Sequence, residues 1–229
     1  MDQNTNHEWI WLSHVLNENT PTYNNQSKVT VSKKSSILDG QTSNSSILSF
    51  SSHDGTHVDA PFHFFQNGNS IDSYQANNWI FNNPLVLKAK YKVNELIQLE
   101  DISLPHDSKK QENDIDLILI KTDFETKRDN DVYWKENPGI SKSLAQWILS
   151  QFPKIRAIGV DLISVSNLLH RNEGRKVHKI LLGKNILIFE DLLLKEINNI
   201  LIQVIALPIR YSKGDGSPCT IIGKILRNG

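Results

Sequence analysis

The chain has 229 residues, enough for one domain with a substantial core and too few for two large ones. Lys and Arg together number 25, as do Asp and Glu, so the formal net charge is zero and no broad basic field exists to gather nucleic acid or anionic lipid. Cys219 is the one cysteine, which rules out an internal disulfide framework and a thiolate zinc cluster; any metal has to be held by His and carboxylate.

The opening segment MDQNTNHEWIWLSH lacks the basic and apolar regions of a signal peptide, and no run of about 18 apolar residues occurs. The expectation is a cytoplasmic protein without a membrane segment. Residues 9–15 read as a strand entering a polar loop that carries Tyr23. Residues 29–32 and 47–51 read as short strands separated by a Ser/Asn/Gly-rich turn. Residues 85–91 are β-rich, 93–99 have a short helical pattern, and 100–114 are polar enough for a surface loop. A continuous apolar strand follows at 115–121. Residues 141–152 have helical periodicity through Leu144, Trp147 and Ile148, with a stop at Pro153. Strands are expected at 157–160, 186–189 and 201–207, and helices at 175–182, ending at Gly183, and at 192–197. This alternation indicates an α/β fold, a mixed sheet with packed helices, in a single domain over residues 1–229. No fixed-period repeat is present.

The chemistry concentrates in SSHDGTHVDAPFHFF, residues 51–65. His53, His57, Asp59 and His63 occupy odd positions, while Val58, Ala60, Phe62 and Phe64 occupy even ones. A strand of period two aims the polar set at one face and the apolar set at the other. Gly55 and Pro61 both disfavour a helix here, and Gly55 leaves room for a cation between neighbouring ligands. Two imidazoles and a carboxylate form a common zinc or manganese shell that leaves positions open for water. His63 lies farther along and suits proton exchange with that water. A single histidine would more plainly be structural, but four such residues on one strand face point to a site.

The string HDGTHVDAPFHF, residues 53–64, resembles the His-x-Gly-Thr-His-x-Asp-x-Pro-x-His signature of the metal-dependent cyclase family, which includes bacterial kynurenine formamidases and isatin hydrolases. The resemblance extends through LSHVLNENTPTY (12–23), KTDF (121–124), NPGI (137–140), IGVDLISVS (158–166), VHKILLGKNILIFEDL (177–192) and LPIRYSKGDGSP (207–218). It implies a swivelling β/β/α-like domain, with His53, His57 and Asp59 as ligands of one metal and His63 as the catalytic proton carrier. It also implies that Asp59 bridges to a second ion joined by His178 and Glu190, with Glu190 touching both; some members use one ion. By analogy the protein is a homodimer or homotetramer acting on a small molecule. On the residues alone, His178 reads as a helix-surface group and Glu190 as an acid at a helix start.

Two departures from the family pattern bear on substrate choice. Tyr23, Asn24, Asn25 and Gln26 stand where formamidases often carry Trp-Pro-Gly-Asp, so Tyr23 is a candidate for stacking on an aromatic substrate. Cys219 and Thr220 stand where many relatives have an apolar residue and an Arg. No Gly-x-Ser-x-Gly elbow or P-loop occurs, and Cys219 in its Gly-rich turn reads as structural. The leading expectation is metal-dependent hydrolysis of an aryl formamide such as N-formylkynurenine. The alternatives are opening of a cyclic amide or lactone, a biosynthetic cyclisation or dehydration, and metal binding without catalysis.

Overall fold

The computed structural model describes residues 7–104, 112–198 and 200–226. In chain order its early strands are β1 (His7–Trp11), β2 (Thr30–Ser35), β3 (Ser45–Ser49), β4 (His57–Asp59), β5 (Ile80–Phe81), β6 (Pro84–Ala89), β7 (Leu96–Ile97) and β8 (Ile102–Ser103). They are followed by β9 (Leu117–Lys121), helix α1 (Val132–Lys135), β10 (Gly139–Ile140), helix α2 (Lys142–Gln151), β11 (Ala157–Val160), helix α3 (Arg171–Leu182), β12 (Leu187–Glu190), β13 (Ile200–Pro208) and β14 (Gly216–Leu226). Among the described residues, ten strands form one mixed, curled sheet in the order β5-β13-β14-β4-β12-β11-β9-β6-β8, with β1 also on β14. This is the α/β, mixed-sheet domain expected from the sequence.

The parallel half of the sheet is β6, β9, β11 and β12. Every residue of β9, β11 and β12 is buried, as strands covered on both faces must be, which explains their unbroken apolar runs. Alternate residues of β9 feed two cores. Ile118 and Ile120 pack with Leu144, Ile148, Val177 and Leu181 of α2 and α3, whereas Leu117 and Leu119 pack with Phe189, Val204 and Ile221 on the other face. Helix α2 starts where Ser141 Oγ accepts a hydrogen bond from Leu144 N at 3.2 Å, satisfying one of the orphan amides of its first turn.

The antiparallel half is joined on through β4, which pairs with β12 on one side and β14 on the other. Beyond residue 218, β14 continues between β13 and β1. This strand is the principal departure from the sequence reading, which saw only a Gly-rich turn there. Two expected helices are absent. At 93–99 the left-handed backbone of Asn94 (φ 61°) stops a helix, and Leu96–Ile97 instead pairs with β10. At 192–197 the chain is non-helical: Leu192 is held in an antiparallel bridge to Ser13, with Leu192 N bonded to Val160 O and Leu193 N to Leu12 O, and Leu194 N donates to the Glu125 carboxylate. The first strand is shorter than expected, ending at Trp11, and α3 starts four residues earlier, at Arg171. Part of the expected loop at 100–114 lies outside the described residues; its ends form a short 3-10 turn at Leu99–Asp101, then β8, and a second turn at Glu112–Asp114. No helix of the described residues is long and apolar enough to cross a membrane.

Behind β12, buried Asp191 accepts from Arg128 Nε at 2.8 Å and Nη2 at 2.7 Å, and from the Tyr133 hydroxyl at 2.8 Å. Asp191→Ala strands a guanidinium in a largely buried position. The substitution is expected to cost about 3–5 kcal/mol in urea-induced unfolding.

Candidate active site

The register of β4 builds the floor of the site. His57 lies opposite Glu190 of β12, and Asp59 lies opposite Gly216 of β14. Directly opposed residues on antiparallel strands point to one face, so His57, Asp59 and Glu190 emerge together. Only residues 57–59 pair as a strand, however. His53 and His63 do not lie on a common strand with them: Gly55 turns through a left-handed conformation (φ 66°), and Pro61 opens a 3-10 turn over Pro61–His63. The single strand face expected from the spacing is thus replaced by turn, strand and turn, which nevertheless bring the four residues to one cavity.

Gly55 also has another function than expected. A side chain there would press on Leu16 and Thr20, away from the ligand set, and its carbonyl accepts from His57 Nδ1 at 2.8 Å. The close approach that makes room in the site is at Gly216, where a Cβ would collide with the His53 ring. His178 arrives from α3, with Nδ1 donating to Gly174 O at 2.8 Å one turn earlier.

The geometry around the two buried carboxylates suits a metal. His57 Nε2 is 3.4 Å from both Asp59 Oδ1 and Glu190 Oε2; His178 Nε2 is 3.4 Å from Asp59 Oδ2 and 3.7 Å from Glu190 Oε1. Donors around one tetrahedral ion at about 2.0–2.2 Å stand roughly 3.3–3.6 Å apart. Each imidazole uses Nδ1 for a backbone carbonyl, which leaves the Nε2 lone pair facing carboxylate oxygens, an arrangement that requires a proton or a cation between them. Glu190 is held from behind by Ser164 Oγ (3.0 Å) and Val165 N (2.8 Å). Its two oxygens and those of Asp59 divide between the His57 and His178 sides. His53 is closer in, with Nδ1 2.8 Å from Asp59 Oδ1, so ligation there needs that pair to open by about 0.5 Å.

Proton affinities record the same demand for positive charge. Burial works against an imidazolium at His57, His178 and His53, yet the facing carboxylates outweigh it: His57 rises well above its ordinary value, His178 to about 10 and His53 to about 9. Burial would raise Asp59 and Glu190, but the histidines hold Asp59 well below the carboxylate range and Glu190 at about 2.

Asp215 completes the cluster and was not picked out from the sequence. Its Oδ2 is 2.7 Å from His53 Nε2 and 3.2 Å from His63 Nδ1, so one carboxylate orients both rings. The signal that could have found it is Asp215 beside Gly216, the glycine on which His53 rests. The site residues line a cavity of about 380 Å3, with Tyr23 half-buried in its wall and Phe64 stacked on His178 at 4.8 Å. Cys219 is buried in the core, which pushes its thiol pKa up, and Thr220 is exposed beside a different hollow with Trp11 and Leu207. In a separate acidic group, Asp161 and Glu125 are occupied by backbone amides and the Thr122 hydroxyl and Asp123 pairs with Lys121, so the group reads as structural.

A family model described as "Putative cyclase" matches residues 10–167. The chain belongs to this cyclase family. It is 26% identical to a kynurenine formamidase of Bacillus thuringiensis subsp. konkukian (strain 97-27) over 95% of this chain and 97% of that one. Its fold is similar to an isatin hydrolase crystallised with the product analogue thioisatinate, with a TM-score of 0.79 at 19% identity, covering 97% of this chain and 94% of that one. It is also similar to a predicted metal-dependent hydrolase from Bacillus stearothermophilus, with a TM-score of 0.72 at 19% identity, covering 95% and 98%. The protein is a hydrolase of the cyclase family with a candidate His/Asp metal site.

Asp215→Asn removes one of the two carboxylates bracketing His53. In metal-free protein, NMR titration is expected to find the His53 pKa lowered from about 9 toward that of free imidazole.

Proposed function

We propose that the protein hydrolyses a small amide, most aptly an aryl formamide such as N-formylkynurenine, with zinc or manganese held by the cluster around Asp59. The observation that carries this reading is the pair of imidazoles, His57 and His178, presenting Nε2 to the divided oxygens of Asp59 and Glu190 at 3.4–3.7 Å, with His63 alongside. One ion would take His53, His57 and Asp59, and a second would take Asp59, His178 and Glu190. When bound, the metal supplies Lewis acidity for the carbonyl and lowers the pKa of a ligated water toward neutrality.

The chain's own residues supply the proton handling. Burial lowers the pKa of His63, so its ring is a neutral base at pH 7. With Nδ1 turned to Asp215, its Nε2 remains to take a proton from the attacking water and return it to the leaving nitrogen. Phe64 and Ile163 give the cavity an apolar wall suited to an aromatic ring, and Tyr23 would contact that ring from the rim. A second reading, opening of a cyclic amide or lactone, is favoured by the fold similarity to the isatin hydrolase.

The same proposal extends to a homodimer or homotetramer, which the exposed apolar residues Trp11, Val15, Leu207 and Ile209 around one hollow support. A cytoplasmic setting suits the reduced, buried Cys219.

His63→Ala is expected to retain metal in elemental analysis while losing about 10²–10⁴-fold in turnover of N-formylkynurenine. Asp59→Ala is expected to lose both. An active, metal-free Asp59→Ala protein would sink the assignment, and absence of formamide turnover beside turnover of isatin or a lactone would select the second reading. Because His178 titrates at about 10 and His57 well above its ordinary value, both rings carry protons in metal-free protein at pH 8. Adding zinc at that pH is expected to release protons, detected by a pH indicator in weak buffer, and lowering the pH is expected to weaken zinc binding.

A further inference from the structure

We infer that Arg171 and Arg175 form an anion clamp at the mouth of the cavity, so that the substrate carries a carboxylate remote from the carbonyl under attack. This rests on reading the cavity as the hydrolase site. Both arginines line the cavity that holds His57, Asp59 and Glu190. They lie on α3 three (Arg175) and seven (Arg171) residues before His178, the spacing that puts three side chains on one stripe of a helix. His178 therefore occupies the floor, and the guanidinium-bearing positions follow about 5 and 10 Å along the helix from it.

The fold makes little use of these charges. Neither arginine has an ion-pair partner among the described residues; Arg171 hydrogen-bonds to the Tyr23 hydroxyl in the cavity wall, and Arg175 Nη1 donates to Asn172 Oδ1 at 3.2 Å. An acid stands close by on the same helix, yet Glu173 pairs with Lys176. Two like charges one turn apart repel, and the first turn of a helix is the wrong end for cations. Both arginines are exposed, so their charge is directed to solvent and to whatever enters the cavity. Tyr23 marks the boundary between the two fields. It lines the cavity with both arginines and Glu190; burial raises its pKa, Arg171 and Arg175 act to lower it and Glu190 to raise it.

The charges are thus layered: carboxylates below, which take metal, and guanidinium forks above, which match a carboxylate in two-pronged geometry. The cavity of about 380 Å3 lies near the lower end of small-ligand sites, about 300–1,000 Å3, and suits one aromatic ring with its substituents. A ring bearing the amide at one end and a carboxylate at the other would satisfy both layers. A neutral amide would leave the rim unmatched.

The test uses the metal-loaded full chain and two probes, 4-formamidobenzoate and formanilide, which differ only in the remote carboxylate. The wild-type protein is expected to favour the acid in kcat/KM, and the R171Q/R175Q variant to reduce that preference by about tenfold or more. K176Q, an equal loss of charge per site on the same helix outside the cavity, is expected to leave the preference unchanged. A wild-type preference for formanilide, an unchanged preference in R171Q/R175Q, or an equal drop in K176Q overturns the clamp. If neither amide turns over, the hydrolase reading fails separately, and calorimetry with 4-aminobenzoate then decides the clamp. Binding about tenfold weaker in R171Q/R175Q than in wild type and K176Q supports it; equal binding, or no binding to wild type, overturns it.

Discussion

Asp59 and Glu190 are almost completely buried, and two carboxylates so placed are tolerable only if positive charge stands between or beside them. Much of the surrounding architecture answers that requirement. Three histidines face the pair, two of them with their outer nitrogens tied to backbone carbonyls so that the inner ones cannot turn away. Imidazolium meets that requirement in the metal-free protein, and a bound cation would take its place.

Holding those groups in register falls to β4, three residues long and central in the sheet. Its neighbours differ in kind: β12 belongs to the parallel, helix-covered half, and β14 to the antiparallel half. The seam between the halves is therefore where the polar residues emerge, as in other open sheets in which strand direction or order changes. Along each side of β4 the cross-strand partner is chosen by the site. Glu190 supplies a second carboxylate opposite His57, and Gly216 supplies an absence of side chain opposite Asp59, where the His53 ring rests.

The parts of this arrangement that follow from local chain geometry were legible in the sequence. The apolar runs of β9, β11 and β12 and the periodicity of α2 and α3 carried the fold class, and the alternation of His57, Val58 and Asp59 identified a true strand. The alternation at 53–63 is longer than the strand itself: Gly55 and Pro61, both hostile to helix, also end the strand by turning the chain. His178 and Glu190 meet only through the packing of α3 on β12, which no local pattern encodes, and they were reached by resemblance. Asp215 and β14 were missed because Gly214, Gly216 and Pro218 read as a turn. Gly216 weakens strand propensity, but the space above it is already filled by His53. The helix expected at 192–197 has the right apolar residues, and Leu192, Leu194 and Ile197 do enter the core, but the bridge of Leu192 to Ser13, a partner distant in the chain, holds the segment's start extended.

The pairing of β4 with β14 gives the protein a timetable as well as a shape. His53 and Asp215, in contact across the site, are separated by 162 positions along the chain. Closing a segment of that length carries an entropic cost that local contacts do not repay, so such pairings are intrinsically slow to form. A chain in which the parallel strands and α2 and α3 have already docked still lacks the glycine shelf for His53 and the carboxylate that steers His63. The full set of candidate ligands and their supports therefore exists only once residues 53–63 and 215–216, from opposite parts of the chain, have been brought together.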